Sequence, residues 1–164
     1  DRVALIPQAA ALVKTLSVFH NVDMGRLDRH PTWHNLRTLV WPVRRDIAEI
    51  EGTLELVGLA DKLFDRAGTL SGGQQQRVSV ARALYNDRSI VIGDEPVSAL
   101  DRLQGADILE KLRARHDTAI LAMHDIPLAL AHADRVVVIE QGRIVLDAAA
   151  RTITAGDLVP YYGG

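Results

Sequence analysis

Cysteine is absent from this chain, which excludes disulfides and removes thiolate metal ligands and cysteine nucleophiles. That fits a reducing compartment without establishing one. Long apolar runs are missing too: AAALV (9–13) and TAILAM (118–123) are the densest pieces, far short of the roughly 18 residues that mark a membrane helix. There is no basic excess either. The formal net charge is −2, so coating nucleic acid is not the expected task, although a local basic patch stays open. The amino end, DRVALIPQ, carries no signal-peptide pattern and is expected to lie inside a domain, because an apolar strand-like run already begins at Val3.

What is present is an ordinary globular balance. The 164 residues are 48% hydrophobic and 24% charged, with 6 prolines and 12 glycines, enough for one domain with a core and unlike a disordered chain. Val3 to Ile6 reads as a short strand stopped by Pro7. Residues 9–45 are mixed: LVKTLSVFHNV has helix-like spacing, and GRLDRHPTWHNLRTLVWP is polar with two tryptophans. From Asp46 the apolar residues Ile47, Ile50, Leu54 and Val57 recur at helical spacing, and Gly58 can end that helix. A second helix is expected after the glycine pair at 72–73, with Val78, Ala81, Leu84 and Tyr85 on its inner side.

Then the period changes. SIVIGDEP reads as a strand whose carboxyl edge is Asp94, followed by a helix over 104–115, the strand TAILAMH, a helix over 126–132, and a hairpin of RVVVIEQ and RIVLD across Gln141–Gly142. The β-α-β-α alternation over 89–133 predicts an α/β fold with a helix-covered sheet, behind a first half that is largely helical. No internal repeat, linker or low-complexity segment interrupts it.

The strand ends carry chemistry. An aspartate closing a buried strand sits where ligands bind in open α/β sheets, and a carboxylate there suits magnesium held jointly with substrate phosphates. Neighbouring residues on a strand point to opposite sides, so Asp94 and Glu95 divide the work: one for the metal shell, one to orient or deprotonate a water. The bland alternative is an acidic turn capping the next helix. His124, at the end of TAILAM, can donate to a phosphate oxygen if its strand lies beside the first; the alternative is a structural histidine bonded to Asp125. SGGQ (71–74) runs straight into a helix, whose free N–H groups and dipole favour a phosphate. A plain glycine turn is the alternative, and the glutamine run with Arg77 and Arg82 speaks against it. Gln8, just past the first strand, could complete a metal or water shell or simply be a polar loop residue.

Together these pieces resemble the ATP-binding subunit of an ABC transporter. LSGGQ (70–74) looks like its signature, SIVIGDE (89–95) like Walker B with the following glutamate, SALD (98–101) like the D-loop, His124 like the switch histidine and Gln8 like the Q-loop glutamine. TLSVFHNVDMGRLDRHPTWHNLRTLVWP is similar to the helical region of phosphonate-importer ATPases. The resemblance covers essentially the whole chain. It implies the α/β fold of a partial P-loop NTPase of the ABC ATPase type, with a mainly helical subdomain over 9–88 and an α/β core part with its hairpin over 89–164. By the same resemblance Asp94 would position Mg2+, Glu95 would be general base or water-polarising carboxylate, and His124 would contact the γ-phosphate and the attacking water. Gln8 would touch metal or water and couple to the membrane subunit. Ser71, Gly72, Gly73 and Gln74 would contact ATP held mainly by a second ATP-binding subunit, and Asp101 would sit at that dimer interface. The implied protein is a phosphonate-importer ATPase, peripheral on the cytoplasmic face of the membrane against permease subunits, with ATP and Mg2+ as cofactors and no nucleic-acid partner.

Two features depart from the family. No G-x-x-x-x-G-K-[ST] occurs: none of the 12 glycines is followed by Lys-Ser or Lys-Thr. The isolated 164 residues are therefore expected not to bind ATP tightly or turn it over. They are either a fragment of a longer subunit or a shortened, non-catalytic partner that donates its signature to another subunit; a soluble ABC ATPase of DNA repair or translation is a further alternative. Gly93 replaces the bulkier residue usual before the aspartate and is expected to loosen packing there.

Overall fold

The structure, a computed structural model, describes residues 3–161. Three strands, β1 (Val3–Ile6), β2 (Ile90–Asp94) and β3 (Thr118–Ala122), form a parallel sheet in the order β1-β2-β3. Ile6 pairs with Gly93 and Asp94 with Ala122, so the carboxyl ends of all three strands share one edge. Parallel neighbours need long crossovers. Everything from Pro7 to Ser89 lies between β1 and β2, and α5 (Arg102–Arg115) lies between β2 and β3.

The sheet alternates as its pleat requires. Ala4, Ile6 and Val91 are buried on one face, against the helices. On the other face Val3, Leu5, Ile92 and Ile120 are 40–63% exposed, so the expected helical cover is found on one side only among the described residues.

The first crossover holds α1 (Val18–Asp23), α2 (Thr32–Val40), α3 (Arg44–Leu56) and α4 (Gly72–Asn86). The middle of the core is α4, packed on α1, α3 and β1 with Val78, Ala81, Leu84 and Tyr85 buried as their spacing predicts. Ile50, Leu54 and Val57 of the α3 region are buried against it, and Gly58 at φ 64 ends the helix in the left-handed conformation that suits glycine. Each such aliphatic side chain contributes about 1.5–3 kcal/mol of burial. Leu54, fully buried, is a position where truncation to alanine costs about 2–5 kcal/mol.

The structure also departs from, or adds to, the sequence-based expectations along four segments. Of the LVKTLSVFHNV segment (12–22), only the part from Val18 onward is helical, within α1. Buried Asn21 explains this: its Oδ1 accepts from Val13 N at 2.8 Å and its Nδ2 donates to Val13 O at 3.1 Å, holding 12–17 out of the helix. The polar tryptophan segment contains α2, begun after Pro31, with Thr38 its only buried residue. The expected hairpin forms from β4 (Arg135–Glu140) and β5 (Arg143–Ala149), as an antiparallel sheet separate from β1–β3. Gln141 (φ 48) and Gly142 (φ 76) supply the two left-handed residues of its turn. Finally, packing at Gly93 is not loose: an added Cβ would lie 2.9 Å from Leu121 Cδ2 and 3.4 Å from Pro96 Cγ. The neighbours already occupy that space.

The chain closes with α6 (Ile126–His132), which starts at the Asp125 cap, and a short α7 (Ala155–Leu158). No helix among the described residues is long and apolar enough to cross a membrane.

Candidate functional site

The shared carboxyl edge of the sheet gathers four of the expected residues. Asp94 ends β2, and its exposed carboxylate has no partner among the described residues. At Glu95 the backbone turns off the sheet with φ 49, while its N–H still donates to Ala122 O at 2.9 Å. That turn carries the Glu95 carboxylate toward the end of β3, where His124 Nδ1 stands 3.2 Å from Glu95 Oε1. His124 lies two residues beyond the strand, not in it, and its ring is 62% exposed. Gln8 is exposed in the turn directly after β1, on the same edge.

Asp94 and Glu95 thus have separate surroundings, one open and unpaired, the other facing an imidazole. No group of three or more His, Cys, Asp or Glu among the described residues could hold a metal ion. A single free carboxylate fits an ion that arrives with most of its ligands, as magnesium does on nucleotide phosphates.

Ser71 to Gln74 open α4 with a reciprocal capping box. Ser71 Oγ accepts from Gln74 N at 3.3 Å, and Gln74 Oε1 accepts from Ser71 N at 2.9 Å. This uses an acceptor pair of the hydroxyl and leaves its O–H to donate, along with the first-turn N–H groups of Gly72 and Gly73. The two glycines are not alike. A Cβ on Gly73 would meet Ala99 O at 2.9 Å, whereas one on Gly72 would meet nothing within 4 Å. Internal packing accounts for the first glycine and not for the second.

Asp101 is the N-cap of α5, its Oδ1 accepting from Gln104 N at 3.0 Å. It shares with Glu95, Ser98, Arg102, His124 and Asp125 the wall of a cleft of about 90 Å3. Small-molecule sites run to roughly 300–1,000 Å3, so this cleft alone does not enclose a nucleotide.

Arg77 and Arg82 do not serve a ligand. Arg77 Nη1 donates to Val57 O at 3.0 Å, closing the end of α3. Arg82 donates to the carbonyls of Ala10 and Ala11, two non-glycine residues at φ 49 and 44, and burial lowers its pKa. Both arginines are spent inside the fold.

The sequence reading passed over two features. Gln76 is only 5% exposed and bonds to the Glu95–Ala99 loop. A signal existed: Val80 and Ala83 lie at i+4 and i+7 from it, which puts Gln76 on the buried face of α4. The other feature is α2, where Trp33, Leu36 and Val40 stand 64%, 66% and 78% exposed, with Trp41 beyond them at 78%.

With that geometry in place, comparison with known proteins is decisive. The family model described as ABC transporter matches residues 1–98. The chain belongs to the ABC transporter ATP-binding family. A phosphonates import ATP-binding protein of Natronomonas pharaonis is 42% identical over 98% of this chain and 70% of its own length. One of Pseudomonas aeruginosa is 38% identical over 98% of this chain and 61% of its own. A phosphite import ATP-binding protein of Stutzerimonas stutzeri is 40% identical over 99% and 60%. Among solved structures, a dimeric ATP-binding cassette bound to ADP and Pi in a post-hydrolysis state superposes with a TM-score of 0.72 at 25% identity, over 92% of this chain and 64% of that one. A nucleotide-free ATP-binding cassette from an ABC transporter gives 0.74 at 21%, over 98% and 69%. The fold is therefore that of an ABC ATPase, as a partial domain. The chain spans only 32% and 61% of the length of the Anaeromyxobacter dehalogenans and Pseudomonas aeruginosa relatives.

Proposed function

We propose that this chain is part of the ATP-hydrolysing, energy-coupling subunit of an ABC importer for phosphonates or closely related phosphorus oxyanions, at the cytoplasmic face of the membrane. The observation that carries this reading is the open Gly72 end of the capped helix α4, with donors free and no internal reason for the glycine. Such a helix start accepts a phosphate, and the chain supplies it to ATP bound mainly by a second ATP-binding subunit. The residues 9–88 act as a helical subdomain and 89–164 as part of the α/β core.

ATP with Mg2+ supplies the phosphoryl group and the charge that neutralises it. Asp94 would hold the ion's shell, Gln8 would complete that shell or hold the water, Glu95 would accept the water's proton or polarise it, and His124 would donate to the γ-phosphate. Ser71, Gly72, Gly73 and Gln74 contact the partner's nucleotide, and Asp101 lies at the shared interface. The exposed apolar side of α2 meets the membrane permease. The phosphonate assignment rests on the relatives' own described import function. A non-catalytic partner role is the second reading, because the capped, open Gly72 end of α4 would serve another subunit's nucleotide equally well in it.

A chimera tests the first reading. The P-loop part of the Natronomonas pharaonis relative, placed before this chain, should hydrolyse ATP, and should do so faster in membranes with that importer's permease when phosphonate is supplied. A folded chimera that binds Mg-ATP without hydrolysing it contradicts the reading and favours the non-catalytic one.

A further inference from the structure

We propose that Gln76 is a positioning residue that ties the Ser71 end of α4 to the loop bearing Glu95, so that a ligand gripping that helix end is felt at the Glu95–His124 pair. This rests on the proposed function for its ligand but on independent geometry for the tie itself.

The Gln76 side chain spans two elements with both ends of its amide. Its Nε2 donates to Glu95 O at 2.6 Å and lies 3.3 Å from Ser98 Oγ, while its Oε1 accepts from Ala99 N at 2.8 Å. The bonds are made out of solvent, at 5% exposure, where unmatched polar groups are costly. Glu95 needs such a hold. It sits at φ 49, a conformation costly for a residue with a Cβ, which persists only where its surroundings fix it. Its N–H donates to Ala122 O of β3, and its carbonyl accepts from Gln76 Nε2 at the shortest distance, 2.6 Å, beside Ser98 Oγ at 3.2 Å and Ser98 N at 3.3 Å.

A second contact joins the same two pieces. The backbone of Gly73 approaches Ala99 O so closely that a Cβ would stand 2.9 Å away. The first turn and a half of α4 therefore touches the 95–99 loop at both Gly73 and Gln76. Movement of the helix start on a nucleotide must move, or be resisted by, the backbone that aims Glu95 at His124. Gln74 and Gln75 cannot do this: the first is used in the capping box and the second donates to Leu70 O.

Amide exchange by NMR on this chain tests the tie. Gln76→Leu removes both bonds and should speed exchange at Ala99 about tenfold, the worth of one buried hydrogen bond, with α3 amides unchanged. Gln76→Glu keeps an acceptor for Ala99 N–H and loses the donor to Glu95 O. It should restore Ala99 protection while the cross-peak between the His124 ring and the Glu95 side chain is lost. If Gln76→Leu does not fold, Gln76→Asn, too short to span the gap, takes its place. Ala99 exchange within about twofold of wild type, or an unchanged His124–Glu95 cross-peak in Gln76→Glu, overturns the proposal. A final arm adds an intact ATP-binding subunit with Mg-ATP. Wild type should show a shifted His124 ring signal, and Gln76→Glu should associate without that shift. A shift of equal size in both overturns the coupling. Failure of wild type to associate contradicts the proposed function instead, and the exchange result still decides the tie.

Discussion

His124 and Glu95, carried on the ends of neighbouring strands β3 and β2, stand 3.2 Å apart, Nδ1 to Oε1. Two exposed or half-exposed groups in this relation contribute little to stability, in the range of about 0–1 kcal/mol. In the proposed function the two groups face the same substrate. In the chimera with a P-loop, Glu95→Gln is expected to lower kcat for ATP hydrolysis about 10²–10⁴-fold, and His124→Ala about 10²–10³-fold. KM should change little in both, and each variant should melt within a few degrees of the parent. Steady-state hydrolysis beside thermal melts separates this from a folding defect.

The two signature glycines should part company. Gly73→Ala forces a Cβ to within 2.9 Å of Ala99 O and should cost about 1–3 kcal/mol. Gly72→Ala meets open space and should stay within about 0.5 kcal/mol of wild type, while weakening ATP-dependent association with an intact subunit. Denaturant titrations of both variants, with binding measured alongside, check the contrast.

Asp23, at the end of α1, should limit stability at neutral pH. Burial, and then the Asp46 carboxylate, raise its pKa above the ordinary 3.8, against the pull of His30, His20 and His34. A carboxyl raised in the fold contributes stability below its unfolded value and loses it as pH rises through its folded value. Asp23→Asn should therefore raise Tm at neutral pH, with the gain vanishing as pH falls below 3.8. A variant that melts lower at neutral pH would mean that the histidines hold the charge after all.

Trp33 and Trp41 are 64% and 78% exposed. Replacing both with serine should alter stability by less than about 0.5 kcal/mol and abolish co-purification of the chimera with its permease. Unchanged co-purification would remove α2 from the permease interface.

Much of this was legible in the residues because the deciding physics is local. An apolar run ended by Asp94-Glu95-Pro96 makes a strand edge, Gly58 ends α3, and a helix follows the glycine pair at 72–73. Where distant partners decide, the pattern misled. Asn21 looks helical in sequence, yet its bonds to Val13 shorten α1. Arg77 and Arg82 spoke against a plain glycine turn in the sequence, yet their guanidinium groups serve the carbonyls of Val57, Ala10 and Ala11. Gln76 is indistinguishable by type from its two neighbours, and only the helix period and the approach of the Ala99 loop give it a role. Gly93 departs from the family without loosening the sheet because Leu121 fills its place.

In the proposed function the Ser71 end of α4 serves a nucleotide bound by another subunit. Sedimentation of this chain with an intact, hydrolysis-deficient ATP-binding subunit, with and without Mg-ATP, tests it most directly. A complex is expected only with Mg-ATP, weakened at least about tenfold, or about 1.4 kcal/mol, by Ser71→Arg, with no micromolar ATP binding by the chain alone. Micromolar Mg-ATP binding by the chain alone, or association indifferent to both ATP and Ser71→Arg, would contradict it.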